Sequence, residues 1–171
     1  MTRFEADMKN NILDLELCRM ETDEDIKGKA YVHWKTWHEA YKGMISGDYL
    51  DKLTLEKCEK MAYSRDDNII VAKDSGRVVG FVAYGKDDAS SENGEIFALY
   101  VLSDYYGKEV GLRLMNAGLE YLKGCREIGL WVLKENARAI RFYGKCGFLH
   151  NGEEKYLPGL RASEIRMILI R

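Results

Sequence analysis

The chain has 171 residues, 46% of them apolar and 32% charged, with a formal net charge of -2 and a pI near 6.0. That length suits one domain with a proper core, and that charge argues against nucleic acid as the main partner, which usually demands a basic face. No stretch approaches the ~20 apolar residues that span a bilayer, and the polar start "MTRFEADMKNN" has no signal-peptide core. We therefore expect a cytoplasmic protein with no membrane partner, made of a short tail over 1–12 and a single domain over 13–171.

In chain order, "LDLELCRM" (13–20) alternates apolar and polar residues like a half-buried strand. Thr22 stands before an acidic turn, with Glu21, Asp23, Glu24 and Asp25 around it, and reads as a helix N-cap. The same acids would also attract a cationic amine. From Asp23 to Met44, the residues Ala30, Trp34, Trp37, Tyr41 and Met44 make one helical face. His33 and His38 fall off that face and are expected to be exposed. A second helix is predicted from Asp48 to Tyr63. "NIIVAK" (68–73) and "RVVGFVAYG" (77–85) flank the turn signal "DSG" and predict a hairpin. "EIFALYVL" (95–102) is apolar without alternation, as a central strand covered on both faces would be.

The next helix carries Leu114, Met115, Gly118, Leu119 and Leu122 on one stripe, and "IGLWVL" (128–133) is a further buried strand. Asn136 caps a helix that runs to about Cys146, with Gly147 ending it. Two antiparallel strands around Pro158-Gly159 close the chain. This order predicts a mixed α/β fold. Its central sheet is mostly antiparallel, of about six to seven strands flanked by about four helices. Cys18, Cys58, Cys125 and Cys146 show no C-x-x-C spacing and read as reduced thiols. His33, His38 and His150 are too scattered to predict a metal site.

"DYYGKEVG" (104–111) follows an apolar strand and enters a helix, which suggests a phosphate-binding loop, yet Glu109 lies in its middle. "YGKEVG" (106–111) aligns with the pattern [QR]-x-x-G-x-[GA], and "NARAIRFYGKCGF" (136–148) matches N-x-x-A-x-x-F-Y-x-K-x-G-F throughout. On these two motifs and the element order the chain resembles the GNAT superfamily of acetyl-CoA-dependent N-acetyltransferases, of the small bacterial type. The likeness runs from about Leu13 to the C-terminus.

The resemblance implies a loop of Tyr106, Gly107, Lys108, Glu109, Val110, Gly111 and Leu112 around the coenzyme A pyrophosphate. It implies that Leu99, Tyr100 and Val101 pair with the pantetheine arm, in β-augmentation by a cofactor. The Leu99 N–H would polarise the thioester carbonyl, and Asn136 and Lys145 would add cofactor contacts. Tyr143 matches the family tyrosine that serves the departing thiolate as general acid; its alternative is helix packing. Glu95 stands where several relatives carry the general base, and apolar surroundings would raise its pKa toward that use. Its alternative is a solvated carboxylate at a strand end.

Trp34, Trp37 and Tyr41 belong to the core, or in part to the acceptor channel. Tyr106 replaces Gln or Arg, and Glu109 replaces the first patterned glycine. A negative φ at 109 would let that side chain point outward without strain. The implied activity is acetyl transfer from acetyl-CoA to a primary amine by direct attack in a ternary complex, the acceptor a small amine or polyamine. Alternatives are a protein or peptide N-terminal or lysine acetylase, and a non-catalytic acyl-CoA-binding module. The expected state is a monomer or homodimer with no metal.

Overall fold

The computed structural model describes residues 14–64, 68–87 and 90–171. The predicted tail over 1–12 and Leu13 lie outside the described residues. The chain order is β1 (Leu15–Arg19), α1 (Asp23–Ala40), α2 (Gly47–Lys52), α3 (Leu55–Ser64), β2 (Asn68–Asp74), β3 (Arg77–Asp87) and β4 (Ser90–Val101). A 3-10 turn at Ser103–Tyr105 leads to α4 (Val110–Tyr121), β5 (Glu127–Leu133), α5 (Ala137–Lys145), β6 (Leu149–Leu157) and β7 (Ala162–Ile170). The strands form one seven-stranded sheet in the order β1-β2-β3-β4-β5-β7-β6. Every neighbouring pair is antiparallel except β4 with β5. The predicted class and strand number hold.

Helix α1 starts as its sequence demands. Thr22 accepts from the Asp25 N–H, and Asp25 returns the bond to the Thr22 N–H, a capping box. One of the four acids serves the fold: Asp25 is buried, and its carboxylate meets Lys73 at 2.6 Å. Against the cost of burial, Lys73 and the two cap N–H groups hold the Asp25 carboxyl below its ordinary range.

The helix ends at Ala40 rather than Met44, where Tyr41 leaves the helical region and Gly43 turns with φ +83°. Its burial is broader than one stripe. Ala30, Trp34 and Trp37 pack with Cys58 and Ala62 of α3, while Val32 joins the main core against the sheet. The two histidines expected outside are half-buried for that reason. The His33 ring stacks over Tyr100 at 6.0 Å between centroids, and His38 sits between the Trp34 and Leu50 carbonyls at 2.8 and 2.9 Å.

The helix predicted over 48–63 is two helices, so the described residues hold five rather than about four. Leu53 is buried and closes α2, and the Thr54 hydroxyl accepts from the Lys57 N–H at the start of α3. A threonine that caps the next turn competes with a continuous helix.

Between α4 and the sheet lies the main core, with Leu114, Met115 and Leu122 fully buried among Val82, Ile96 and Ile128. Truncating one of these to alanine costs about 2–5 kcal/mol. Gly118 lets α4 approach: a Cβ there would stand 3.2 Å from Ile96 and 3.3 Å from Val82. All four cysteines are free, and burial raises the Cys58 thiol to about 11. No helix among the described residues is long and apolar enough to cross a membrane.

Strand β4 departs from expectation in the way that matters most. Its pairing with β3 slips at Phe97, because Tyr84 faces Ile96 and the next residue back, Ala83, faces Ala98. That one-residue bulge bends the strand. Its pairing with β5 covers only Asn93–Glu95 against Glu127–Gly129, and beyond Glu95 the two strands part. The strand keeps a helix on each face, α4 beside Ile96 and α1 beside Tyr100, but one edge is open: Phe97 is exposed, and Ala98 to Val101 are half-buried along it.

Candidate active site

The parted strands open into a cavity of about 890 Å³. Glu95 to Val101 of β4 form one wall and Leu130 to Leu133 of β5 the other. The loop before α4 and the first turns of α5 also line it, as do Trp37, Tyr41 and Met44, with Leu160 and Glu164. An unpaired strand edge offers N–H and C=O groups at regular intervals, which is what a peptide-like arm needs.

The loop is a nest of backbone amides. Gly107 has φ +74° and Glu109 has φ +61°, and Glu109 is the N-cap of α4 without a side-chain capping bond. The first N–H groups of a helix have no intrahelical partner and carry the positive end of its dipole. The condition that would leave the side chain at 109 unstrained, a negative φ, is not met: Glu109 takes the left-handed conformation that favours glycine. An L-residue there costs about 1–2 kcal/mol. The Glu109 side chain is exposed and the residue borders the cavity.

Tyr106, in place of the patterned Gln or Arg, holds a cation from elsewhere. The Arg138 guanidinium lies 3.1 Å from its ring centroid, and both residues line the cavity mouth. Sequence reading missed Arg138, although its position two residues after the capping Asn136 was a usable signal.

Asn136 accepts from the Ala139 N–H at 3.1 Å, so it caps α5 and lines the cavity at once. Leu99, Tyr100, Val101, Tyr106, Gly107, Val110, Gly111, Leu112, Glu95 and Tyr143 also border it. Lys108 and Lys145 do not. The Lys108 ammonium lies 5.2 Å from the Tyr105 ring, and Lys145 is exposed in the last turn of α5.

Deep in the cavity, three phenols converge. Burial first, and then the neighbouring Tyr100, push the Tyr143 phenol far above its ordinary value. The Tyr41 hydroxyl donates to that of Tyr100 at 3.4 Å, and burial raises both of these groups. Such phenols stay protonated and remain hydrogen-bond donors across the physiological range.

Glu95 is not surrounded by apolar groups as expected. It forms an ion pair with Arg166 of β7 at 3.1 Å. Beyond it lie side chains that no motif announced: Trp131 of β5, with the Lys155 ammonium 3.9 Å from its ring centroid, and Glu164, 3.3 Å from that ammonium. Among the described residues no group of His, Cys, Asp or Glu is placed to hold a metal ion.

Comparison with known proteins accords with this geometry. The sequence model of the Acetyltransferase (GNAT) family matches residues 32–148. An uncharacterized N-acetyltransferase of Archaeoglobus fulgidus is 37% identical over 137 residues, which is 75% of this chain and 89% of its own. A spermine/spermidine N(1)-acetyltransferase of Bacillus subtilis is 29% identical over 110 residues, 60% of this chain and 70% of its own. The PaiA N-acetyltransferase of Thermoplasma acidophilum, solved in complex with coenzyme A, superposes with a TM-score of 0.71 over 93% of this chain and 100% of its own. Its identity is 22%, so that likeness speaks for the fold.

Proposed function

The chain belongs to the GNAT family of acetyltransferases, and from that premise we propose that it moves an acetyl group from acetyl-CoA to a small primary amine or polyamine by direct attack in a ternary complex. One observation carries the reading. An unpaired strand edge runs from Ile96 to Val101 and leads to a left-handed amide nest at the start of α4, with the buried phenol of Tyr143 bordering the same cavity. The edge matches a pantetheine arm, the nest matches a pyrophosphate, and the phenol matches a departing thiolate.

Acetyl-CoA brings an activated acyl group, and the chain's own residues do the rest. The amides of Gly107 and of Glu109 to Leu112 hold the pyrophosphate, while that of Lys108 donates to the Tyr105 carbonyl, and the Leu99 N–H is the oxyanion donor to the thioester carbonyl. An alkylammonium has a pKa of about 10.4 and must lose a proton before it attacks. Glu95 takes that proton, directly or through one water. The leaving thiol has a pKa of about 8.5, below that of an ordinary tyrosine, and Tyr143 is raised further still. Full transfer from Tyr143 is therefore uphill, and its role is to hydrogen-bond the thiolate as charge develops.

For the acceptor, the support is the relative named as a spermine/spermidine N(1)-acetyltransferase. Purified protein with acetyl-CoA and a panel of polyamines, amino acids, aminoglycosides and peptides should release thiol only with its acceptor class. Release with peptides but not with small amines would overturn the polyamine assignment.

A further inference from the structure

Arg166 and Glu95 are not on neighbouring strands. Strand β5 lies between them, and the residue of β5 opposite Glu95 is Gly129. A side chain at 129 would close the route: a Cβ there would overlap three guanidinium atoms, with even the farthest, Nε, at only 2.8 Å. The glycine therefore leaves a notch across β5, and the arginine passes through it. Trp131 forms one wall of the passage, with its ring centroid 5.4 Å from the guanidinium carbon. Side-chain exposure is 17% for Arg166 and 26% for Glu95, so the pair is largely sheltered from screening.

Lys155 of β6 is paired with Glu164 of β7. On β5, Glu127 shares the face of Gly129 by alternation. Arg166 is the cation in ion-pair contact with Glu95. A guanidinium holds a carboxylate in a defined orientation and cannot take its proton. Glu95 is also the last β4 residue paired with β5, at the point where the strands part.

We propose that Arg166, seated in the Gly129 notch, is a positioning residue that aims the Glu95 carboxylate at the acceptor amine. This rests on the acetyltransferase reading above. Glu95 does the proton chemistry, and Arg166 acts only through it.

The test is a mutant cycle read by thiol release with an acceptor that the parent protein turns over. Arg166→Gln and Gly129→Ala should each lower kcat on the order of 10 to 100-fold, and leave the KM for acetyl-CoA within about twofold, since neither touches the cofactor groups. In a Glu95→Gln background the same changes should cost less than about threefold, because the effect has lost its carrier. Arg166→Lys should recover part of the rate. Gly129→Ala meets only the flexible end of Arg166, so it should fold; if its melting is not cooperative, the Arg166 and Glu95 cycle decides. Parental kcat in Arg166→Gln, or losses that add fully to that of Glu95→Gln, would overturn the role. A parent that releases thiol with no amine would instead contradict the acetyltransferase reading, and the role would fall with it.

Discussion

Two parts of the cavity lining are built on different principles. The cofactor end is made of backbone: the open edge of β4, the amides between Gly107 and Leu112, and a helix N-terminus. Side chains there are secondary, which is why a tyrosine and a glutamate replace patterned residues without closing the nest. The proposed acceptor end is made of side chains delivered from α1, β4, β5, β6 and β7, with Trp37, Glu95, Trp131, Lys155 and Glu164 among those that line the cavity. A backbone site tolerates substitution and is read from short local motifs; a side-chain site tolerates little and leaves no contiguous signature.

That difference gives graded predictions. The largest effect belongs to the acceptor end: Glu95→Gln should lower kcat about 100-fold or more, the usual range for a lost general base. The loss should be greatest at low pH, where free amine is scarcest, and pH-rate profiles of both proteins check it. An unchanged kcat would leave the acceptor end with binding alone.

Tyr143→Phe comes next. It removes one hydrogen bond to a developing thiolate, about tenfold in kcat, with little change in coenzyme A affinity. The pH dependence has a definite sign. Because its pKa lies far above the ordinary tyrosine value, Tyr143 stays protonated as pH rises and supplies no alkaline limb below about pH 10. The substitution should lower the profile without changing its shape. An alkaline limb that disappears in Tyr143→Phe would contradict the burial argument.

At the cofactor end the effects are smaller. Glu109→Gly relieves a left-handed L-residue but adds unfolded-state freedom worth about 0.4–1 kcal/mol. The net gain should be about 0.5–1 kcal/mol, a rise of roughly 2 °C in melting temperature. A fall would mean that the glutamate itself organises the loop. Glu109→Gln keeps the backbone cost and removes only the charge. It should tighten coenzyme A about two- to threefold at low ionic strength and make no difference at high salt, because the group is exposed. Titration calorimetry at two salt concentrations separates the two variants.

Legibility followed the same division. The run from Asn136 to Phe148 and the loop from Tyr106 to Gly111 were readable because local backbone geometry imposes a local pattern. The φ of Glu109 was not, since a glutamate in sequence argues for an ordinary conformation and only the surrounding fold imposes the left-handed one. The bulge at Phe97 was invisible because register is decided by partner strands, and an unalternating apolar run reads the same whether both its faces are covered or one edge lies open. His33 and His38 were misjudged because α1 packs against both α3 and the sheet, so a single stripe understates its burial. Arg166 and Gly129 belong together only through the order of β4, β5 and β7.

The measurement that bears most directly on the account is melting temperature as a function of coenzyme A concentration. If the edge of β4 and the nest before α4 bind the cofactor, ligand at about 100 times its Kd adds about 2.7 kcal/mol to stability. For a chain of this size that corresponds to a saturable rise of roughly 5–10 °C. No rise at millimolar coenzyme A would contradict the assignment of the cavity.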